Sequence, residues 1–344
     1  MTDDVKRIVV VGGLGLFGRT AVEQLRDLGL SVITASRGPA ADWRIDANDP
    51  ESIRATMRRG DLVLDAAGPF HARSTALIEA ATEVGFDVID INDDLGYAER
   101  VLALERRIDG AGIRVLSSAS SVSALAASVV RRSGIAEPVR MSAFLAPATR
   151  HTANAGTALS LLRSVGRPIR VFRDGRLQTV PGWSEPRSFD MPAPISPICG
   201  RLFESADALY LPRIWPTLRD VAMYVDTNLP GTNALMRLAA RWPAMKRLME
   251  QAVGLGTRVA RRFGSQAGGI GYKIEDDEGR VARLAIFSEN KSFVVAVAPA
   301  VLAARAIVDG RFAARGFVSP DRHVESTNLF EFLAASGITS AALT

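Results

Sequence analysis

One cysteine in 344 residues, Cys199, leaves no partner for an intrachain disulfide. Three scattered histidines, His71, His151 and His323, have no zinc-ligand spacing, so neither a structural nor a catalytic metal is expected. Long apolar runs are missing too. The longest, Phe293 to Ala304, has 12 residues and contains Pro299, well short of the roughly 20 needed to span a bilayer as a helix. The opening MTDDVKR is acidic and lacks the basic start and apolar centre of a secretory signal, which points to the cytoplasm.

Lysine is scarce: the 42 basic residues are 38 arginines and 4 lysines. The formal net charge is +5, and Arg237 to Arg262 alone holds seven basic residues against Glu250, a local balance of +6. The rest of the chain is therefore close to neutral. With no recognition helix, RNA-binding aromatic signature or basic tail, nucleic acid is not expected as a partner.

What is present is a rhythm. Through the first 130 or so residues, short β-branched runs (RIVVV, SVITAS, DLVLDAAG, DVIDIN, IRVL) alternate with helical periodicity. Continuous apolar strands separated by helices predict a parallel sheet buried on both faces, a Rossmann-type doubly wound α/β domain over 1–122. After Ser121 the rhythm breaks. An inserted α+β domain is expected over 123–291, with hairpins turning at Asp174-Gly175 and near Glu278-Gly279 and irregular proline-rich sequence from Pro181 to Pro216. Helices over 292–344 are expected to return to the first domain.

Gly13, Gly15 and Gly18, with Leu14, Leu16 and Phe17 between them, form G-x-G-x-x-G straight after a strand and at the start of a helix. That pattern supplies a tight turn, close backbone approach to a pyrophosphate, close helix–strand packing and the positive end of a helix dipole. The second strand then ends without the expected carboxylate. Ser36 and Arg37 stand there instead, a hydroxyl and a planar cation suited to a 2′-phosphate, which favours NADP(H) over NAD(H). The alternative for Arg37 is a solvated loop residue, stacked on adenine or on nothing, and Asp46 either neighbours the adenosine or caps the helix beginning near Pro50. Gly12 also lets the letters read as G-x-x-G-x-x-G, the short-chain dehydrogenase fingerprint. No tyrosine here has the lysine four residues later that such enzymes need.

The stretch DLVLDAAGPFHARSTALIEAATEVGFDVIDINDD, with its Gly68-Pro69-Phe70 turn, and the later APAVLAARAIVDGRFAARGFVSP resemble the saccharopine dehydrogenase-like NAD(P)-binding oxidoreductase family. The resemblance spans both ends of the chain, and the middle matches only in outline. It implies a nicotinamide-nucleotide oxidoreductase acting on a C=N, C=O or activated C=C of a small-molecule or lipid-like substrate. It would place Gly13, Gly15 and Gly18 at the pyrophosphate and Arg37 at the 2′-phosphate. Ala67, Gly68 and Pro69 would lie beside the ribose and nicotinamide, and Ser120 and Ser121 near the nicotinamide face. Asp93-Asp94 stands where many relatives have Gly-Glu, which argues against true saccharopine chemistry. The alternative class is a non-catalytic NADP(H)-binding sensor or scaffold.

Hydride chemistry needs a proton donor or acceptor. His71, Asp93, Asp94 and Tyr97 are the candidates at the strand ends, although Asp94 reads equally as a helix N-cap and His71 as a partly exposed helix start. Arg73, Arg150 and Arg213 are candidate carboxylate clamps, and Lys291 either reaches the substrate or is simply solvated. The basic helical stretch 235–263 is read as an internal packing face or homodimer interface, a mobile lid, or a peripheral membrane contact.

Overall fold

A computed structural model describes residue 5 and residues 7–195 and 197–343. It divides into two compact units, 1–128 with 294–329, and 129–293 with 330–344.

The first unit is built on β1 (Arg7–Val11), β2 (Val32–Ser36), β3 (Trp43–Arg44), β4 (Asp61–Asp65), β5 (Asp87–Asp90) and β6 (Arg114–Leu116). All pair in parallel in the order β6-β5-β4-β1-β2-β3, and a two-residue strand, Gly316–Phe317, adds beyond β6. Two-sided burial is why these strands read as unbroken apolar runs: Val9, Val10, Leu62, Val63, Leu64, Val88 and Ile89 are fully buried. The crossovers are α1 (Leu16–Asp27), α2 (Pro50–Thr56), α3 (Ala76–Val84), α4 (Leu95–Leu102) and α5 (Glu105–Ala111). Helix α1 turns Ala21, Val22 and Leu25 inward at helical spacing, and α3 stops at Gly85, whose φ of +90° suits glycine. Strand order reverses between β1 and β4. That switch point is where open α/β sheets leave a crevice at the carboxyl ends of their strands.

The second unit is a mixed nine-stranded sheet. Its strands are β7 (Arg140–Ala146), β8 (Pro168–Arg173), β9 (Arg176–Pro181), β10 (Arg187–Phe189), β11 (Ile198–Phe203), β12 (Asp220–Val225), β13 (Gly268–Glu275), β14 (Val281–Ser288) and, numbering Gly316–Phe317 as β15, β16 (Thr339–Leu343). Phe144 stacks between Phe189 and Tyr224, with ring centroids 4.9 and 5.2 Å away. Both expected hairpins form: Asp174 (φ +52°) and Gly175 (φ +78°) turn β8 into β9, and Gly279 (φ +84°) lies between β13 and β14. Its helices include α6 (Ala124–Arg132, which crosses the unit boundary), α7 (Thr149–Thr152), α8 (Ala155–Ser164), α9 (Asp207–Ile214), α10 (Thr232–Arg241), α11 (Pro243–Gln251) and α12 (Val253–Phe263).

Three features differ from the sequence reading. The stretch 181–216, expected to be irregular, contains β10, β11 and α9; β10 bonds to β11 and β11 to β12, partners that local pattern does not reveal. The division falls at 128/129 and 293/294 rather than 122/123 and 291/292. After α13 (Ala298–Val308), which clusters with the first unit, the chain does not stay there: residues beyond Leu329 join the second unit, because Thr339–Leu343 pairs antiparallel with β14 from Phe287 to Arg283.

Candidate nucleotide-binding site

At the switch point the chain leaves β1 through Gly12, in the left-handed region at φ +78°. Its N–H donates to Ala35 O of β2 at 2.8 Å, and its carbonyl accepts from Gly15 N at 2.8 Å, closing the turn. A Cβ on Gly12 would lie 2.7 Å from the backbone of Ala66 and Ala67, so a glycine there is what lets the ends of β1 and β4 approach. Gly18 does the same for helix on strand, since its Cβ would sit 2.1 Å from Gly12 O. The tight-turn role expected of Gly13 thus belongs to Gly12; the doubled glycine was the available signal.

Gly15 differs from both. It is exposed, has an ordinary extended backbone (φ −73°, ψ 171°), and a Cβ on it would meet only Gly12 O, at 3.2 Å. It is also the N-cap of α1, with no capping side chain and no acid in the first turn. A bare helix N-terminus behind an exposed glycine fits an approaching pyrophosphate, sterically and in charge. Leu14, exposed beside it, borders the β2 end: a Cβ on Gly38 would lie 3.9 Å from Leu14 Cδ1. Leu16 and Phe17 are half-buried.

Ser36 Oγ accepts from Gly38 N at 3.1 Å and shapes the loop that carries the exposed Arg37. Asp46 accepts from Asn48 N at 2.9 Å in a turn of its own. It does not cap α2; Asp49 does, accepting from Glu51 N at 3.0 Å.

Across the switch point, the turn after β4 rests on a buried ion pair. Arg73 Nη1 and Nη2 meet Asp65 Oδ1 and Oδ2 at 3.1 and 2.9 Å, and Arg73 Nη1 also donates to Ala67 O at 2.7 Å. With side chains 5% and 0% exposed, the pair is an internal strut, so Arg73 is not available as a carboxylate clamp. Asp65 Oδ1 in turn accepts from Ala67 N at 3.0 Å. Gly68 and Pro69, joined by a cis peptide, are left exposed on the outside of this turn. The sequence signal for the strut, an acid closing the apolar strand DLVLD, went unread.

The proton-transfer candidates separate sharply. Tyr97 is fully buried, its ring 5.2 Å from Phe70, and packs the core instead of facing solvent. Asp94 caps α4, accepting from Tyr97 N at 2.7 Å. His71, in the short 3-10 turn Phe70–Ala72, is half-buried. Asp93 is solvent-accessible yet hemmed in by protein; that desolvation and the neighbouring Asp94 push its pKa up to about 6. Ser120 is buried and bonded to Val122, whereas Ser121 is half-buried. Arg150 donates to Gly264 O at 3.2 Å, and Arg213 and Lys291 are exposed, all three in the second unit.

One further carboxylate was missed. Asp90, which closes β5, is fully buried; its Oδ1 accepts from Ser118 N and Asn92 N at 2.8 and 3.0 Å, and its Oδ2 has no well-aligned partner. Burial pushes its pKa up to about 7, against the bonds from Ser118, Asn92 and Ser117 that pull it down. A carboxyl that holds its proton more tightly when folded costs stability as pH rises, so this contribution falls away from about pH 4 to about pH 7. Asp90→Asn keeps the Oδ1 bonds and removes the charge. At pH 8 it should stabilise the protein by about 1–3 kcal/mol, and at pH 4.5 by much less, read by denaturant melts at both pH values. Equal effects at the two pH values would contradict the buried-charge account.

No protein-family model matches the sequence. Among solved structures, the chain is similar to apo saccharopine dehydrogenase (L-Glu forming) from Saccharomyces cerevisiae, with 12% identity, 98% of this chain and all of that one covered, and a TM-score of 0.62. It also aligns with the WlbA dehydrogenase from Thermus thermophilus in complex with NAD and UDP-GlcNAcA, at 10% identity, 95% and 94% coverage and a TM-score of 0.41. GenD2 from gentamicin A biosynthesis, in complex with NAD, aligns at 14% identity, with 100% and 98% coverage and a TM-score of 0.43. Of the three, only the yeast enzyme is close enough in three dimensions to bear on the architecture. On strand order and that superposition, the chain has the saccharopine dehydrogenase-like fold, a Rossmann-type doubly wound parallel sheet with a second, mixed-sheet unit.

Proposed function

We propose that this protein is an NADP(H)-dependent oxidoreductase acting on a C=N, C=O or activated C=C of a small or lipid-like substrate. The observation that carries the reading is the open Gly15 at an uncapped helix N-terminus, flanked by a β2 end bearing Ser36 and Arg37 in place of a carboxylate. Gly13 and Gly15 with the first turn of α1 would hold the pyrophosphate, and Arg37 the 2′-phosphate, with Asp46 beside the adenosine. Ala67, Gly68 and Pro69, and Ser120 and Ser121, would line the inner half of the nucleotide. NADP(H), when bound, supplies the hydride donor or acceptor. The chain's own contribution is then to move a proton. His71, half-buried, and Asp93, solvent-accessible, are the candidates that remain for it, Asp93 because its raised pKa lets it exchange a proton near neutral pH.

Fluorescence titration of the full chain with NADPH and NADH tests the cofactor reading. NADPH should bind at least about tenfold more tightly, and Arg37→Asp should remove that preference or reverse it, a change of about 1–3 kcal/mol. Equal affinities, or a preference unmoved in Arg37→Asp, would sink the 2′-phosphate argument.

The burial of Tyr97 and the capping role of Asp94 leave few proton donors, which favours the second reading, a non-catalytic NADP(H) sensor or scaffold. Oxidation of bound NADPH by any member of a metabolite panel decides for the enzyme.

A further inference from the structure

Helices α10 to α12 leave their large apolar side chains in water. Of the nine large hydrophobic residues exposed among the described residues, six lie between 235 and 263: Leu235, Trp242, Leu248, Leu255, Val259 and Phe263. Trp242, Leu255 and Phe263 are 59, 60 and 69% exposed, far beyond what scattered surface leucines explain. On α12 the pattern is regular. Leu255, Val259 and Phe263 recur every four residues and so share one side of the helix, while Val253 and Ala260 hold it to the unit from another.

Arginines stand alongside. Arg237, Arg241, Arg247, Arg258 and Arg262 are exposed, and no ion pair engages them among the described residues; Arg262 lies 5.5 Å from the Phe263 ring centre. Elsewhere in this unit exposed arginines find acids, as in Arg140–Asp220 and Arg280–Asp276. Two other cations of the segment are committed inward: Lys246 Nζ donates to Val165 O at 2.7 Å and Arg261 Nε to Ala153 O at 2.8 Å. An open, mainly apolar depression of about 420 Å³ on α10, rimmed by Arg237 and Arg241, continues the same character.

We propose that the α10–α12 face is a docking surface for an anionic lipid bilayer. Short amphipathic helices with bulky apolar residues on one side and arginines beside them lie in the headgroup region. The apolar side chains reach the acyl boundary, and the guanidinium groups fork onto lipid phosphates. Trp242, with an apolar body and a polar N–H, suits the same depth. A second copy of the chain is disfavoured as the occupant. A twofold interface sets the same patch against itself, and a segment carrying +6 would then face +6. The proposal does not rest on the oxidoreductase reading, because its test contains no nucleotide.

Vesicle flotation of the full chain is the experiment. Vesicles of phosphatidylcholine with roughly 30% phosphatidylglycerol should bind it at least about tenfold more strongly than phosphatidylcholine alone at low salt, since each surface cation contributes several-fold. Raising the salt should weaken that binding steeply, and Trp242 emission should shift to the blue in the anionic vesicles. Leu255→Asp/Phe263→Asp and Arg258→Glu/Arg262→Glu should each reduce binding about tenfold or more, with melting unchanged because all four side chains are exposed. Indifference to lipid charge, or wild-type binding by the apolar double variant, would overturn the proposal. So would a concentration-dependent dimer in sedimentation that the apolar double variant abolishes, which would assign the patch to a second copy.

Discussion

Gly15→Val should be a folded protein that no longer binds NADPH. Its backbone angles are those any residue adopts, and an added Cβ meets only one backbone oxygen, at 3.2 Å, so the native turn can take a side chain with slight relaxation. The branched side chain would instead occupy the space in front of the α1 N-terminus, where a pyrophosphate must touch backbone N–H groups. We expect NADPH affinity to drop at least about 100-fold, close to 3 kcal/mol, while the melting temperature moves little. Gly18→Ala is the informative contrast. Its Cβ would lie 2.1 Å from Gly12 O and 2.7 Å from Gly12 C, so helix and strand must separate and the loss should appear in stability. Retained NADPH binding in Gly15→Val, with folding intact, would remove the phosphate-turn assignment and with it the proposed function. The membrane proposal would stand untouched.

The second large effect concerns the strut under the β4 turn. Arg73→Met should destabilise the protein by about 3–5 kcal/mol near neutral pH, because it leaves the Asp65 carboxylate buried without its cation. Three further acceptors, Ala67 O, Ala47 O and Asn48 Oδ1, lose the same donor. Asp65→Asn/Arg73→Met should recover part of the loss, since the uncompensated charge is gone. Were Arg73 a solvent-facing clamp, its removal would cost well under about 1 kcal/mol. Chemical denaturation of the wild type and these two variants at pH 8 separates the two outcomes.

Much of the architecture was legible because it is written in local periodicity. Unbroken apolar strands and the hairpin pairs Asp174-Gly175 and Glu278-Gly279 report on their own immediate geometry, and each forms as expected; the glycines after β1 also make a tight turn, with Gly12 rather than Gly13 in the left-handed region. Strands β10, β11 and β16 were not legible. What makes them strands is an edge supplied from elsewhere in the chain, β12 for β11, β11 in turn for β10, and β14 for β16.

The site divides along the same line. The residue types at the glycine turn and at Ser36-Arg37 carry the proposal of a dinucleotide with a 2′-phosphate, because steric room and charge sign belong to those residues themselves. Which titratable groups are free for chemistry was decided by the fold alone. Arg73 is consumed by Asp65, Asp94 by the α4 cap and Tyr97 by the core, while Asp90 is buried with an oxygen left over and Asp93 remains accessible. A side chain's identity carries its intrinsic proton affinity, but its burial and its partners come from segments dozens of residues away, and those set whether it can meet a substrate.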